Sequence, residues 1–219
     1  MSVVFRVWLY KRQAALIINI KIDRRTFIYL LGFFYSSSLK SESVCNKTPK
    51  QPKGPFFKES KTTSINDLSN NGKATGELIK IEGKILDKNC KPYSFCMIDI
   101  WQANSYGKYN HENDFSKNKI DEFFYGYKRI TSDKNGNYSF TTIFPGSYKI
   151  SKDIVRPPHI HLLIKTKNNK SLTTQLYFKN HPYNKNDFIL NTSKYKSLLE
   201  VSLTWSKKSL RTGIFNIVI

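Results

Sequence analysis

Cysteine is scarce in this sequence, and its spacing excludes several classes of cross-linked or metal-folded protein. The chain has three cysteines, Cys45, Cys90 and Cys96, so at most one disulfide bridge can form. No two of them form a C-x-x-C pair, which excludes a zinc ribbon. Cys90 and Cys96 flank a turn and the start of a strand, and we expect them to be buried or isolated thiols. Cys45 follows a candidate export signal, and whether it is free, bridged or lipidated stays open.

Acidic residues are also few. With 16 acidic and 36 basic residues, the formal net charge is +20. Such a charge would ordinarily suggest nucleic acid or an anionic surface as a partner. The lysines are scattered rather than striped, however, and Lys, Asn, Ile, Tyr and Phe, which A/T-rich codons favour, are all abundant. We therefore expect a solvated basic surface and no nucleic-acid partner, although this surface would help to attract a small organic anion.

The sequence has no apolar run long enough to cross a bilayer, so no stable membrane span is expected. The short apolar run 28–35 follows the basic pair Arg24-Arg25 with Phe27, and small residues follow at 36–38. This order resembles a twin-arginine export signal, and we predict that residues 1–38 direct the protein to the periplasm or the cell exterior. Asp23 stands where Ser or Thr is usual, and the upstream stretch is long, so the true start codon and cleavage site stay open.

The remaining chain divides by composition into two parts. Residues 39–75 are polar, with Pro49, Pro52 and Pro55 as breakers, which favours an extended arm. Residues 76–219 contain short strand-like runs separated by turn residues. With 39% hydrophobic residues overall, the chain can bury a core in one domain.

The pattern of residues 76–219 indicates an all-β fold. Apolar residues at 79, 81 and 85 share one face of a strand across Gly83, and the sequence around residues 133–137 is a strong turn signal. The predicted strands are Met97–Trp101, Tyr138–Ile143, Thr173–Phe178 and Gly213–Ile219, and a short helix is expected at Ser193–Leu199. Little helical periodicity and closely spaced strands predict a β-sandwich of mainly antiparallel strands.

One predicted strand carries two of the four histidines in the chain. Pro157 and Pro158 mark an extended entry, and the apolar run that follows is typical of a buried strand. Alternation along such a strand sends Ile160 to one face and both His159 and His161 to the other. Two imidazoles so close together can share a metal ion. By itself, this pattern is equally compatible with two hydrogen-bonded or exposed histidines.

Two other segments offer ligands of a different kind. Tyr109 follows Gly107 on a loop after a strand, and Tyr148 follows Gly146 in a tight turn. A phenolate oxygen is a hard anionic ligand that suits ferric iron, and two phenolates with two imidazoles would leave room for an exogenous ligand. With thirteen tyrosines in the chain, either one taken alone is more readily explained by packing or surface exposure.

Five ordered segments, together with an arm motif, form a specific pattern. The arm motif is Cys45-x-x-Thr48-Pro49 followed by Gly54-Pro55-Phe56, and the segments lie at 100–109, 131–140, 142–148, 156–161 and 173–178. In this order they resemble the intradiol ring-cleavage dioxygenases, most of all the protocatechuate 3,4-dioxygenase type. The resemblance covers about residues 45–190.

The resemblance implies a β-sandwich that holds one non-haem Fe(III). Tyr109 and His159 would be equatorial ligands, Tyr148 and His161 axial ligands, and a hydroxide would fill the fifth position. Arg156 would lie over the substrate ring. Gln175 would be its neighbour on a facing strand, and the alternation agrees, since residues 175 and 177 share one face while 176 and 178 point to the core. The implied reaction inserts O2 into a catechol-type aromatic diol to give a cis,cis-muconate.

Several properties stay open at the level of sequence. The substrate could be protocatechuate, catechol or hydroxyquinol, and Tyr106, Asn110, His111 and Tyr127 are candidates for distinguishing them only by their proximity to the motifs. The protein could be a homo-oligomer or pair with a related chain. An alternative function is a non-catalytic secreted binding module, which we would expect to have lost at least one of the four metal-binding residues. A second alternative is a basic protein that binds polyanions.

Overall fold

The computed structural model describes residues 3–11, 14–22, 44–59, 66–205 and 210–219. The chain separates into two units, residues 1–42 and 43–219. In the first unit, strand β1 (Val3–Lys11) pairs antiparallel with β2 (Ala14–Ile22). The twin-arginine-like segment and its apolar run, residues 23–38, lie outside the described residues, so the export signal stays a prediction. Within the described ranges, no helix combines the length and the apolarity that a bilayer crossing requires.

The second unit is built almost entirely from short strands. They are β3 (Leu78–Leu86), β4 (Met97–Trp101), β5 (Tyr127–Thr131), β6 (Asn137–Ile143), β7 (Tyr148–Lys149), β8 (Val155–Arg156), β9 (His159–Lys165), β10 (Ser171–Phe178), β11 (Glu200–Val201), β12 (Leu203–Trp205), β13 (Arg211–Ile214) and β14 (Ile217–Val218). The helical segments are a 3₁₀ turn at Pro182–Asn186, the short α-helix α1 (Phe188–Asn191) and a 3₁₀ turn at Lys196–Leu198.

Ten of these strands form two sheets that face each other across one core, and β7 pairs separately with β8. The first sheet has the order β11-β10-β9-β4-β5, and in the second β3 pairs with β6, β13 and β14, while β12 extends it beyond β13. Most pairs are antiparallel, but β11 joins β10, and β13 and β14 join β3, in parallel. The predicted β-sandwich of mainly antiparallel strands is therefore confirmed.

The core lies between the sheets because the strand side chains alternate. Ile160, Leu162 and Ile164 of β9 are fully buried in it, as are Ile79 and Ile81 of β3. The opposite face of β9 and β10 is also buried, because the arm that precedes β3 covers it. Residues 44–59 contain no helix or strand, and Gln51 N–H donates to the Thr173 carbonyl of β10 at 2.9 Å.

Several predicted boundaries were wrong. The strand predicted at 213–219 is divided between β13 and β14, and at the break the side-chain oxygen of Asn216, rather than a main-chain carbonyl, accepts the hydrogen bond from Lys84 N–H. The helix predicted at 193–199 is limited to the 3₁₀ turn at Lys196–Leu198, and α1 was not predicted. Strand β5 was also not predicted.

A disulfide joins Cys45 of the arm to Cys90, which corrects the expectation that Cys90 is an isolated thiol. Forty-five residues separate the two cysteines, so no local pattern indicated the pairing. Cys96 is a buried free thiol, as expected. The disulfide fixes the start of the arm, and a hydrogen bond from Thr48 N–H to the Val218 carbonyl continues the attachment.

We expect that replacing both Cys45 and Cys90 by serine lowers the free energy of unfolding by about 2–4 kcal/mol, because the unfolded chain loses a constraint. Urea unfolding followed by circular dichroism measures the change. A reductant should destabilise the natural sequence by a similar amount and leave the double variant unaffected. Equal stability of the two proteins would show that the disulfide does not stabilise the fold.

Candidate metal and active site

The two histidines lie on β9, between β10 and β4, on the face opposite the core. Both rings are almost fully buried. Register pairs His161 with Gln175 of β10 and with Trp101 of β4, while His159 pairs with Tyr177. The strand therefore places both imidazoles under the arm, where neighbouring strands supply polar and aromatic side chains.

The structure brings the two tyrosines singled out by sequence to the same place. The Nε2 atoms of His159 and His161 are 3.2 Å apart, and the hydroxyl of Tyr148 lies 3.4 Å from His159 Nε2. The ring centroid of Tyr109 lies 5.6 Å from that of Tyr148 and 6.4 Å from that of His161. Four side chains from one loop, from the start of β7 and from β9 thus converge around one point.

The hydrogen bonding of His159 indicates its tautomer. Its Nδ1 lies 2.7 Å from the Pro157 carbonyl oxygen, which can only accept, so Nδ1 carries the proton and the Nε2 lone pair faces the cluster. Burial, with the nearby positive charge of Arg156, lowers the pKa of His159 well below its usual value and that of His161 to about 3. Both imidazoles are therefore neutral at neutral pH, which is the form that binds metal.

The pKa values of the two phenols are shifted upwards, whereas those of the imidazoles are lowered. Burial first, and then the adjacent Tyr148, raise the pKa of Tyr109 well above its usual value, and burial also raises the pKa of Tyr148. The buried hydroxyl of Tyr109 has no hydrogen-bond partner among the described residues. A buried polar atom without a partner is costly, so this oxygen points to a ligand within the cluster.

The donor set fits a metal ion. Two neutral imidazole nitrogens and two phenol oxygens face a common space, and a cation there would favour loss of both phenolic protons. The described residues contain no group of three or more His, Cys, Asp and Glu side chains that could hold a metal. A metal at this place would therefore depend on Tyr109 and Tyr148 as well as on the histidines.

Aromatic side chains and the arm enclose this donor set. Trp101 stacks on His161 with a centroid distance of 4.8 Å, and Phe56 of the arm stacks on Tyr109 at 4.5 Å. Gly54, at a φ of 72°, passes so near His161 that a Cβ would lie 3.5 Å from its Cε1. The arm is therefore one wall of the site.

The predicted pair Arg156 and Gln175 lies beside the cluster. Arg156 Nη2 donates to Gln175 Oε1 at 2.8 Å and to the Tyr177 hydroxyl at 3.0 Å, while its Nε donates to Asp187 Oδ2 at 2.6 Å. Gln175 Nε2 in turn donates to the Pro52 carbonyl of the arm at 2.9 Å. Tyr177 and Asp187 were not assigned a part in the site from sequence. Asp187 precedes α1, and an Asp before a helix is an N-cap signal, but nothing local linked it to Arg156.

Three of the residues that were proposed only because they lie near the motifs in sequence have other surroundings than the imidazoles. The Tyr127 hydroxyl donates to the Phe56 carbonyl at 2.9 Å, so this residue supports the arm. His111 accepts a hydrogen bond from Asn113 N–H, and its ring lies 5.9 Å from that of Phe56. Tyr106 is half exposed. In the described part of the chain, neither a ring contact nor a hydrogen bond joins Tyr127, His111 or Tyr106 to either imidazole.

A cavity of about 340 Å³ opens next to Tyr148. Phe56, Phe115 and Ile150 supply its apolar lining, and Asp114 and Lys149 supply charge. A volume of this size accommodates a small ligand. A larger cavity of about 580 Å³ is lined by none of the predicted site residues.

The chain is similar to known proteins in both sequence and fold. A family model described as Dioxygenase matches residues 53–219. The chain is 37% identical over 115 residues to the protocatechuate 3,4-dioxygenase beta chain of Burkholderia cepacia, a match that covers 51% of this chain and 49% of the relative. It is 27% identical over 183 residues to the catechol 1,2-dioxygenase of Acinetobacter baylyi, covering 74% and 58%. The chain thus spans only about half of the length of these curated relatives.

Two solved structures match this chain over most of their own length as well as over most of its length. The dioxygenase domain of a dioxygenase and carbohydrate-binding protein fusion from Streptomyces sp. SirexAA-E has a TM-score of 0.64 and 26% identity, covering 80% of this chain and 98% of that one. An intradiol ring-cleavage dioxygenase from Tetranychus urticae has a TM-score of 0.65 at 23% identity, covering 80% and 95%, and so shows the shared fold. Since the family model matches well over half of the sequence, the chain belongs to the intradiol ring-cleavage dioxygenase family.

Proposed function

We propose that this protein is a non-haem Fe(III) intradiol dioxygenase that inserts O2 into a catechol-type aromatic diol and produces a cis,cis-muconate. The observation that carries the proposal is the convergence of two neutral, buried imidazoles with the buried phenol of Tyr109 and the half-buried phenol of Tyr148, and the Tyr109 hydroxyl has no other partner among the described residues. Hard oxygen ligands suit ferric iron, and the family membership points to the same metal.

Tyr109, Tyr148, His159 and His161 would hold the iron. When bound, Fe(III) supplies Lewis acidity, which draws electron density from the coordinated diol and makes its ring reactive towards O2. Two phenolates would cancel two of the three charges of the ion, so that a diol dianion can still bind.

Tyr148 is the residue best placed to move a proton. A diol must lose two protons to bind as a dianion, and burial raises the pKa of Tyr148. A Tyr148 phenolate would therefore be a strong base and would take up one of these protons at its phenolate oxygen, while a hydroxide at the site would take up the other and leave as water. The adjoining cavity leaves space on that side of the ring.

Arg156 supplies the positive charge. It is buried, is bonded by Asp187, Gln175 and Tyr177, and acts electrostatically on both imidazoles. A guanidinium fixed in this way stabilises negative charge that develops on the substrate ring, at little cost of reorganisation. The rings of Trp101 and Phe56 stack on His161 and Tyr109 and shield these side chains from water.

The substrate class includes protocatechuate, catechol and hydroxyquinol. The relatives named above are protocatechuate and catechol dioxygenases, and a further relative, 27% identical, is a hydroxyquinol 1,2-dioxygenase from Rhodococcus opacus. A homo-oligomer or a complex with a related chain is compatible with this family. All four ligand positions are retained, so a non-catalytic binding module is not proposed.

We also propose that the protein is exported through the twin-arginine-like segment. The Cys45–Cys90 disulfide supports this, because disulfides persist mainly in oxidising compartments. Replacing Arg24 and Arg25 together by lysine should leave the chain in the cytoplasmic fraction. The measurement is an immunoblot of separated cell fractions, and undiminished export of the variant would contradict this route.

Loading the protein with iron should produce a visible phenolate-to-iron absorption band. We expect Tyr109→Phe to remove this band or shift it strongly, because one of the two phenolate ligands is lost, and to abolish O2 uptake on a panel of catechols. Tyr138→Phe is the matched control, since Tyr138 is a buried phenol that donates to the Phe215 carbonyl in the core. An unchanged spectrum in iron-loaded Tyr109→Phe would refute the ligand assignment.

Arg156→Ala should retain iron and lower kcat by about 100-fold or more, because a fixed positive charge beside the reacting ring is removed. Metal analysis and oxygen-electrode assays measure the two properties. Arg129→Ala is the control, because this arginine pairs with Asp99 and not with the cluster. Loss of iron from Arg156→Ala would show that the residue maintains the structure of the site instead.

A further inference from the structure

Asp187 makes a buried ion pair with the arginine of the proposed site. Arg156 Nε donates to Asp187 Oδ2 at 2.6 Å, and the side chains of the two residues are 5% and 0% exposed. In a low-dielectric interior, a charge-assisted hydrogen bond of this length is strong and restricts orientation. The pair lies 31 residues apart in sequence, and α1, which Asp187 caps, is only four residues long.

The second oxygen of the carboxylate fixes Asp187 itself. Asp187 Oδ1 accepts a hydrogen bond from Leu190 N–H at 2.7 Å, and the Asp187 carbonyl accepts one from Asn191 N–H at 3.0 Å. The carboxylate is therefore held by a backbone N–H of α1, and the main chain of Asp187 is held by the next residue of the same helix. The carboxylate presents Oδ2 to Arg156 at a fixed position.

The hydrogen bonds of Arg156 show which of its N–H groups are anchored. A guanidinium has five N–H donors, and those on Nε and Nη2 are directed to Asp187, Gln175 and Tyr177. No described residue accepts a hydrogen bond from Nη1. The anchoring groups thus occupy the edge formed by Nε and Nη2 and leave Nη1 without an acceptor among the described residues.

We propose that Asp187 is a positioning residue for the dioxygenase reaction: it holds the Arg156 guanidinium so that its Nη1 edge meets the negative charge that develops on the substrate ring. This inference rests on the proposed function. Gln175 and Tyr177 both contact Nη2, and the bond from Nε to Asp187 anchors a second atom of the guanidinium, so that the plane of the fork is held at two points.

The direct test is Asp187→Asn, which preserves side-chain volume and an oxygen that can still cap α1, but removes the charge. We expect kcat to fall about tenfold or more, as for loss of a hydrogen bond to a charged group, while iron content and the visible band stay unchanged. Asp99→Asn is the matched control, because Asp99 is also a buried carboxylate paired with an arginine, Arg129, through bonds of 2.5 and 2.9 Å. This control should lose stability but keep its kcat.

A double-mutant cycle separates positioning from a general structural role. If Asp187 acts through Arg156, Asp187→Asn should lower kcat further by less than about twofold in an Arg156→Ala background, since coupled residues are not additive. An equal loss in both backgrounds, or an unchanged kcat in the single variant, would overturn the inference. Should Asp187→Asn fail to fold, Asp187→Glu, which keeps the charge but moves the carboxylate, provides the same cycle.

A measurement on the metal-free protein is independent of turnover. In protein labelled with ¹⁵N-arginine, the Arg156 Nε–H resonance, assigned by its loss in Arg156→Ala, should lie downfield because it bonds to a carboxylate. Asp187→Asn should move it upfield and leave the Leu190 amide resonance near its original position. An unmoved Nε–H signal would overturn the inference. If iron-loaded natural protein converts no diol, the proposed function fails, and this spectrum alone decides whether Asp187 orients Arg156.

Discussion

The site depends on the two faces of β9. Alternation along this strand places Ile160 and Leu162 in the core between the sheets and places His159 and His161 on the other face. A shift of one residue in register would exchange these sets, so that the imidazoles would enter the apolar core. The packing that stabilises the sandwich therefore also fixes the position of both imidazoles.

Burial of the face of β9 that points away from the core determines the protonation state of His159 and His161. A solvated histidine would titrate near neutral pH, whereas both imidazoles here are held neutral by burial and by Arg156. The arm produces this burial by stacking Phe56 on Tyr109 and passing Gly54 over His161. The arm is itself attached by the Cys45–Cys90 disulfide and by main-chain hydrogen bonds. A segment without regular structure is thus as much a part of the site as the strands are.

Charge in this buried region is balanced by specific pairs. The guanidinium of Arg156 would be costly to bury alone, and Asp187 compensates its charge without removing its electrostatic effect on the imidazoles. Gln175 connects this pair to the arm, because it accepts from Arg156 and donates to the Pro52 carbonyl. The wall of the site and its positive charge are therefore coupled through one amide side chain.

The sequence by itself determined the strands with clear alternation, such as β4 and β9, and the four side chains that converge in the site, which the ordered motifs identified. Only the tertiary structure decided the Cys45–Cys90 pairing, the bond between Arg156 and Asp187, and the closure of the site by the arm. The reason is physical. Periodicity is encoded over a few neighbouring residues, whereas contacts between residues 31 to 123 positions apart depend on which surfaces meet when the two sheets pack.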